Sequence, residues 1–112
     1  MSDQTKLGSL LLVGVNHTTA PLDIRERLAI PIARLADATR SLAGQPGIRE
    51  ALILSTCNRV ELLTVTESGN GTEDGAVPAI ALNFLHQYLN IPSAAVTPHL
   101  YTLREREAIR HL

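Results

Sequence analysis

A single cysteine, Cys57, no tryptophan and three aromatic rings in 112 residues remove several functions before any motif is considered. One thiol forms no internal disulfide and builds no thiolate-rich zinc site, so Cys57, if it acts chemically, acts as a free thiol. Phe84, Tyr88 and Tyr101 are too few for a surface that stacks successive bases of a single strand. Charge of one sign is lacking too: ten Lys and Arg against eleven Asp and Glu leave a formal charge of -1. That balance argues against autonomous, charge-driven binding to DNA, RNA or an anionic membrane. No apolar run approaches the ~20 residues of a membrane-spanning helix, and residues 1–6 are polar rather than a charged lead into a long apolar segment. The expected compartment is the cytoplasm, with neither membrane nor DNA as a partner. Internal repeats, HExxH, GxSxG and paired CxxC are also missing. Gly69 and Gly71 do not make GxGxxG, because Asp74 stands three residues beyond Gly71.

What is present is aliphatic. Eighteen leucines and 45% apolar side chains suit one domain with one core. The continuous apolar run 10–16 (LLLVGVN) predicts a strand covered on both faces. Pro21 and Pro31 each open a helix, since a first helical turn does not need the amide hydrogen that proline lacks. The second helix carries Ile32, Leu35, Ala36, Leu42 and Ala43 on one face and stops at Gly44 and Pro46. Residues 51–55 and 60–66 read as two neighbouring strands, and 67–75 (ESGNGTEDG) as a solvated loop. Val77, Ile80, Ala81, Phe84, Leu85 and Tyr88 recur at helical spacing. Residues 92–95 suggest a turn and 99–103 a short last strand with Pro98 at its entry. A new helix begins at Arg104, with Ala108, Ile109 and Leu112 on one face, and is expected to continue past Leu112. The order strand, helix, strand, strand, helix, strand predicts an α+β fold, a ferredoxin-like split βαβ sandwich (βαββαβ). In it helices cover one face of an antiparallel sheet. Residues 1–103 would form that domain and 104–112 the start of the following helix.

The connection between the two central strands concentrates the reactive side chains. Cys57 lies just past an apolar strand, after the hydroxyl of Thr56 and before the amide of Asn58 and the guanidinium of Arg59. A cysteine nucleophile needs partial exposure near positive charge or amide donors, whereas an inert cysteine packs as a small hydrophobe. Composition and spacing leave both open. Arg59 either recognises a carboxylate with its planar fork or pairs as a turn residue with Glu61 or Glu50. His17, in GVNHTTAP, is expected to bond the following turn. His111 is placed by spacing on the helix surface, one turn from Glu107. His86 and His99 receive no role.

Two segments together, GVNHTTAPLDIRERL at 14–28 and ILSTCNRVELL at 53–63, resemble the N-terminal catalytic domain of the glutamyl-tRNA reductases. HLYTLREREAIRHL at 99–112 is similar to that family's passage into its next helix, so the resemblance touches nearly the whole chain. STCNR is its most specific element. Thr18 stands where a basic residue is common and Val60 where a threonine is common. The resemblance implies that Cys57 is a nucleophile that attacks the ester of glutamyl-tRNA, giving a thioester. NADPH, held by a domain outside this chain, would reduce it to glutamate-1-semialdehyde for tetrapyrrole (porphyrin) biosynthesis. It further implies that Thr56, Asn58 and Arg59 line the glutamyl pocket and that His111 is the histidine important for activity, overriding the surface reading, while His17 stays structural. Implied partners are glutamyl-tRNA, a second copy in a homodimer formed through a C-terminal domain outside this chain, and the glutamate-1-semialdehyde aminomutase. No cofactor is expected to bind these 112 residues, which alone are expected not to complete the reduction. The competing readings are a non-catalytic partner-binding module and a redox-sensing thiol domain.

Overall fold

A computed structural model describes residues 9–67 and 79–112. The described elements are β1 (Ser9–Asn16), α1 (Leu22–Leu28), α2 (Ile32–Ala43), β2 (Ile48–Ser55), β3 (Arg59–Thr66), α3 (Ala79–Leu89), α4 (Ser93–Val96), a 3-10 turn (Thr97–His99), β4 (Tyr101–Arg104) and α5 (Glu105–His111). The strands form one sheet in the order β2-β3-β1-β4, and all three neighbouring pairs are antiparallel. β1 and β3 are therefore central. This explains why β1 is continuously apolar: Leu11, Leu12, Val13 and Val15 are all buried, although successive side chains point to opposite faces.

The two faces differ. On one, Leu11, Val13, Val15, Ile53, Val60 and Leu62 pack with Leu28 of α1, Ala38 and Leu42 of α2, Phe84 and Leu85 of α3, and Val96 of α4. Phe84, Leu28 and Leu42 are fully enclosed there, and each such side chain stabilises the fold by roughly 1.5–3 kcal/mol. Strand alternation sends Leu12, Gly14, Glu61 and Tyr101 to the opposite face. There α5 packs against β1 and β4, with Ala108 buried.

Several expectations are adjusted. The inward stripe of α2 is Leu35, Ala38 and Leu42; Ile32 is 90% exposed and Ala36 is exposed as well. Tertiary contact selected the 3, 4 spacing from Leu35 and left Ile32 on the outer side of the first turn. β2 starts three residues before the apolar run, since pairing with β3 supplies its backbone bonds as far back as Ile48. β4 starts at Tyr101 rather than residue 99, because Pro98 lies inside the 3-10 turn, which Leu100 closes by donating its amide to the Thr97 carbonyl at 3.3 Å. Of residues 92–95, read as a turn, 93–95 lie within the short helix α4 and Pro92 stands at its N-cap. Val77 and all of the 67–75 loop beyond Glu67 lie outside the described residues.

Candidate functional site

The β2–β3 connection is a tight turn built around Thr56. Its amide donates to the Arg59 carbonyl at 2.8 Å, and its hydroxyl oxygen accepts from the amides of Asn58 and Arg59, each at 3.2 Å. A threonine so used satisfies two backbone donors that the turn would otherwise leave open. Thr56, Cys57 and Asn58 are exposed, and Cys57 is a free thiol. Arg25 of α1 grips this turn from the side: Nη1 donates to the Cys57 carbonyl at 2.7 Å and Nε to the Ala20 carbonyl at 3.2 Å. The Ser55 hydroxyl accepts the Ile30 amide at 3.0 Å, a second tie between the same two segments.

Two residues beyond Arg59 the strand carries a carboxylate into the sheet. Glu61 is 2% exposed. Its Oε2 accepts a hydrogen bond from the Tyr101 hydroxyl at 2.5 Å and also contacts His111 Nε2. Its Oε1 accepts no hydrogen bond and faces Arg59 Nη1 at 3.8 Å. Arg59 and His111, far apart in sequence, thus meet through one buried carboxylate. The rings of Tyr101 and His111 lie 5.3 Å apart, tilted by 57°. The contact of Nε2 with the Glu61 carboxylate orients the His111 ring against the sheet. Burial raises the Tyr101 phenol well above its ordinary value; the hydrogen bond to Glu61 and that group's negative charge add to the effect, against Arg59 and Asn16 acting the other way. The phenol is held as a donor.

Gly14 makes this meeting possible. In the sheet, Glu61 on β3 and Tyr101 on β4 are both paired with Gly14 of the intervening β1. A Cβ on Gly14 would stand 2.6 Å from the Val60 carbonyl oxygen and 2.7 Å from Glu61 Cγ. The bare backbone is the floor over which the carboxylate reaches the phenol.

The other histidines lie apart from this network. His17 is exposed, and the turn after β1 is tied by Asn16 instead of by His17 as expected: Asn16 Oδ1 accepts from the Thr18 amide at 2.9 Å and the Thr19 amide at 3.1 Å. Asparagine is suited to that task because its short side chain bonds its own backbone two residues on. His99 Nδ1 lies 3.2 Å from the Thr19 carbonyl, and His86 Nδ1 3.3 Å from that of Ile91. Among the described residues there is no cluster of three His, Cys, Asp or Glu that could hold a metal ion.

Residues 13–112 match the family model described as glutamyl-tRNAGlu reductase, N-terminal domain. This chain belongs to that family. It is similar to glutamyl-tRNA reductase 2 of Koribacter versatilis, 45% identical over 104 residues, which are 93% of this chain and 22% of that protein. It is also similar to the glutamyl-tRNA reductase of Aromatoleum aromaticum, 44% identical over 92% of this chain and 22% of the relative. Among solved structures, glutamyl-tRNA reductase from Methanopyrus kandleri shares the fold: TM-score 0.57 and 21% identity, over 91% of this chain and 20% of that one. The chain spans about a fifth of the length of these relatives.

For a glutamyl-tRNA reductase N-terminal domain, the resemblance implies a site of Cys57, Thr56, Asn58, Arg59 and His111. The structure gathers Thr56, Cys57, Asn58 and Arg59 in one turn and joins Arg59 to His111 through Glu61. His111 turns away from Glu107, its helical neighbour, toward the sheet. Arg59 does pair with Glu61, although that partner is buried in a strand rather than exposed in a turn. Glu61 itself, Tyr101, Gly14 and Arg25 were missed as site residues. Two of these carry a signal in the sequence: Glu61 as a charge inside the apolar strand VELLTV, and Gly14 as a glycine inside LLLVGVN, where a side chain of a neighbouring strand approaches the backbone closely.

Proposed function

We propose that this domain forms the acyl-enzyme of a glutamyl-tRNA reductase. The Cys57 thiolate attacks the ester carbonyl carbon of glutamyl-tRNA. A C–S bond forms, the C–O bond to the ribose breaks, and the departing ribose oxygen takes a proton. His111, oriented by Glu61, supplies or relays that proton. Arg59, with Thr56 and Asn58 beside it, receives the glutamyl group, its guanidinium taking the carboxylate. Covalent catalysis divides one difficult transfer into two easier ones, and the thioester stays electrophilic enough for later reduction. The observation that carries this reading is the exposed Cys57 in a turn that continues directly into Arg59, itself linked to His111 through buried Glu61.

NADPH would reduce the thioester to glutamate-1-semialdehyde for tetrapyrrole biosynthesis. The turn from β1 into α1 reads HTTAP, without a glycine to let a pyrophosphate approach the backbone, so that turn does not fit the cofactor. No hydride step is assigned to them. Homodimerisation, docking of the aminomutase and a cytoplasmic location complete the proposal by family resemblance. The strand order β2-β3-β1-β4 supports reading the fold as the ferredoxin-like split βαβ sandwich, with α5 following its last strand from Glu105 rather than from Arg104, which ends β4.

Intact-protein mass spectrometry after mixing with glutamyl-tRNA, without NADPH, tests the reading. A hydroxylamine-labile glutamyl adduct is expected on the unmodified chain, none on Cys57→Ser, and a weaker one on Arg59→Lys. An adduct that persists in Cys57→Ser would overturn the assignment of the nucleophile. Absence of any adduct would favour a non-catalytic binding module.

A further inference from the structure

The proposed nucleophile stands in an exposed turn, yet acyl transfer requires its sulfur to be held within a few tenths of an ångström of one place. The turn's internal bonds, from the Asn58 and Arg59 amides to the Thr56 hydroxyl, hold the amide side of the Cys57–Asn58 peptide unit and the unit after it. The carbonyl side of the Cys57–Asn58 unit, the Cys57 oxygen, is held from outside the turn, by α1. The half-buried Arg25 guanidinium donates to the Cys57 carbonyl at 2.7 Å, across 32 residues of sequence, and is anchored by its Nε on the Ala20 carbonyl at 3.2 Å. Ala20 is 4% exposed and belongs to the main core, so the anchor is rigid.

We infer that Arg25 is the positioning residue for Cys57: its guanidinium clamps the Cys57 carbonyl and so sets where the thiol is presented to the glutamyl ester. The inference rests on the acyl-enzyme reading above. It uses a property lysine lacks, since two different nitrogens of one planar group bond two carbonyls at once while a single ammonium sits at one point. A hydrogen bond from a charged donor is also stronger than a neutral one, which suits a clamp in an exposed turn. The side chain touches the backbone of the nucleophile and not the reacting atoms. Its loss therefore slows the acyl transfer without weakening capture of the tRNA.

The test compares the unmodified chain with Arg25→Ala and Arg25→Lys. Glutamyl-adduct formation is timed over a range of glutamyl-tRNA concentrations, and amide hydrogen exchange is followed in the same proteins. At saturation Arg25→Ala is expected to form adduct about tenfold to a hundredfold more slowly, with an apparent KM within about twofold. Arg25→Lys should fall between, and added methylguanidinium should restore part of the Arg25→Ala rate. Exchange at the Asn58 and Arg59 amides should speed by about tenfold in Arg25→Ala while β1 amides stay protected. Adduct formation at the unmodified rate, or a loss confined to KM, would overturn the inference. If the unmodified chain forms no adduct, the acyl-enzyme reading fails separately; unchanged exchange at the turn would then overturn the clamp as well, and faster exchange would uphold it.

Discussion

The Tyr101 hydroxyl donates to Glu61 Oε2 at 2.5 Å across β1, over the one position of that strand, Gly14, where no side chain intervenes. This bond joins an edge strand to a central one on the face opposite the main core. It also holds the carboxylate in the place where His111 of α5 meets it. A charge taken out of water is costly unless partners satisfy it, and Glu61 has a phenol, an imidazole and a guanidinium around it. The same arrangement that makes the burial tolerable orients the two side chains, Arg59 and His111, on which the proposed chemistry depends.

Gly14→Ala tests the floor of this arrangement. The new methyl would meet backbone, the Val60 carbonyl oxygen at 2.6 Å, as well as Glu61 Cγ at 2.7 Å, and backbone in the middle of a sheet does not yield cheaply. Urea denaturation should show a loss of about 1–3 kcal/mol, the ordinary cost of overpacking. A variant as stable as the parent would mean that the carboxylate does not lie over Gly14.

The Glu61–His111 contact should appear as coupling. His111→Ala leaves the buried carboxylate short of a partner, and Glu61→Gln removes the charge that His111 faces. Each is expected to cost about 1–3 kcal/mol of stability. Because the second change removes what the first has already broken, the double variant should fall short of the sum by about 0.5–3 kcal/mol. Strict additivity in denaturation would show that the two side chains do not interact.

Much of this was legible in the sequence, for reasons that differ by element. β1 could be read because it is central and apolar on both faces, and the STCNR turn because its residue types are individually unusual beside an apolar strand. Glu61 is harder to see from the chain alone. Its partners are 40 and 50 residues away, and only the strand order brings β4 and α5 to the face it points to. Arg25 is hidden for a similar reason: in PLDIRERL it is one charge among several on a short helix, and its distinction is a carbonyl 32 residues onward. The apolar side of α2 was misjudged at Ile32 because helical spacing admits neighbouring stripes, and contact with the sheet chooses among them.

That choice is testable on α2. Ile32 is 90% exposed while Leu42 is fully buried, although both are aliphatic and sit on one helix. Ile32→Ser should change stability by less than about 0.5 kcal/mol, as surface substitutions do. Leu42→Ala should cost about 2–5 kcal/mol, combining lost burial with the cavity left behind. Similar losses from both, measured in the same denaturant titration, would place α2 in a different rotation about its axis.

The state of Tyr101 can be read directly by its ultraviolet absorbance. Burial, with Glu61 adding a hydrogen bond and a negative charge, raises this phenol far above the value of about 10 that it has in an unfolded chain. Between those two values the unfolded chain has released a proton that the folded chain keeps. Stability contributed by this group is therefore complete below pH of about 10 and declines as pH rises through the folded value. Titration followed at the tyrosinate band should show one ring ionising late, and Tyr101→Phe should remove that late component. The same substitution should flatten the fall of stability above pH of about 10, because the phenylalanine ring has no proton to lose. If Tyr101→Phe instead removes a component that titrates at the ordinary tyrosine value, the phenol is not bonded to a buried carboxylate, and the link between β4 and β3 through Glu61 does not exist in solution.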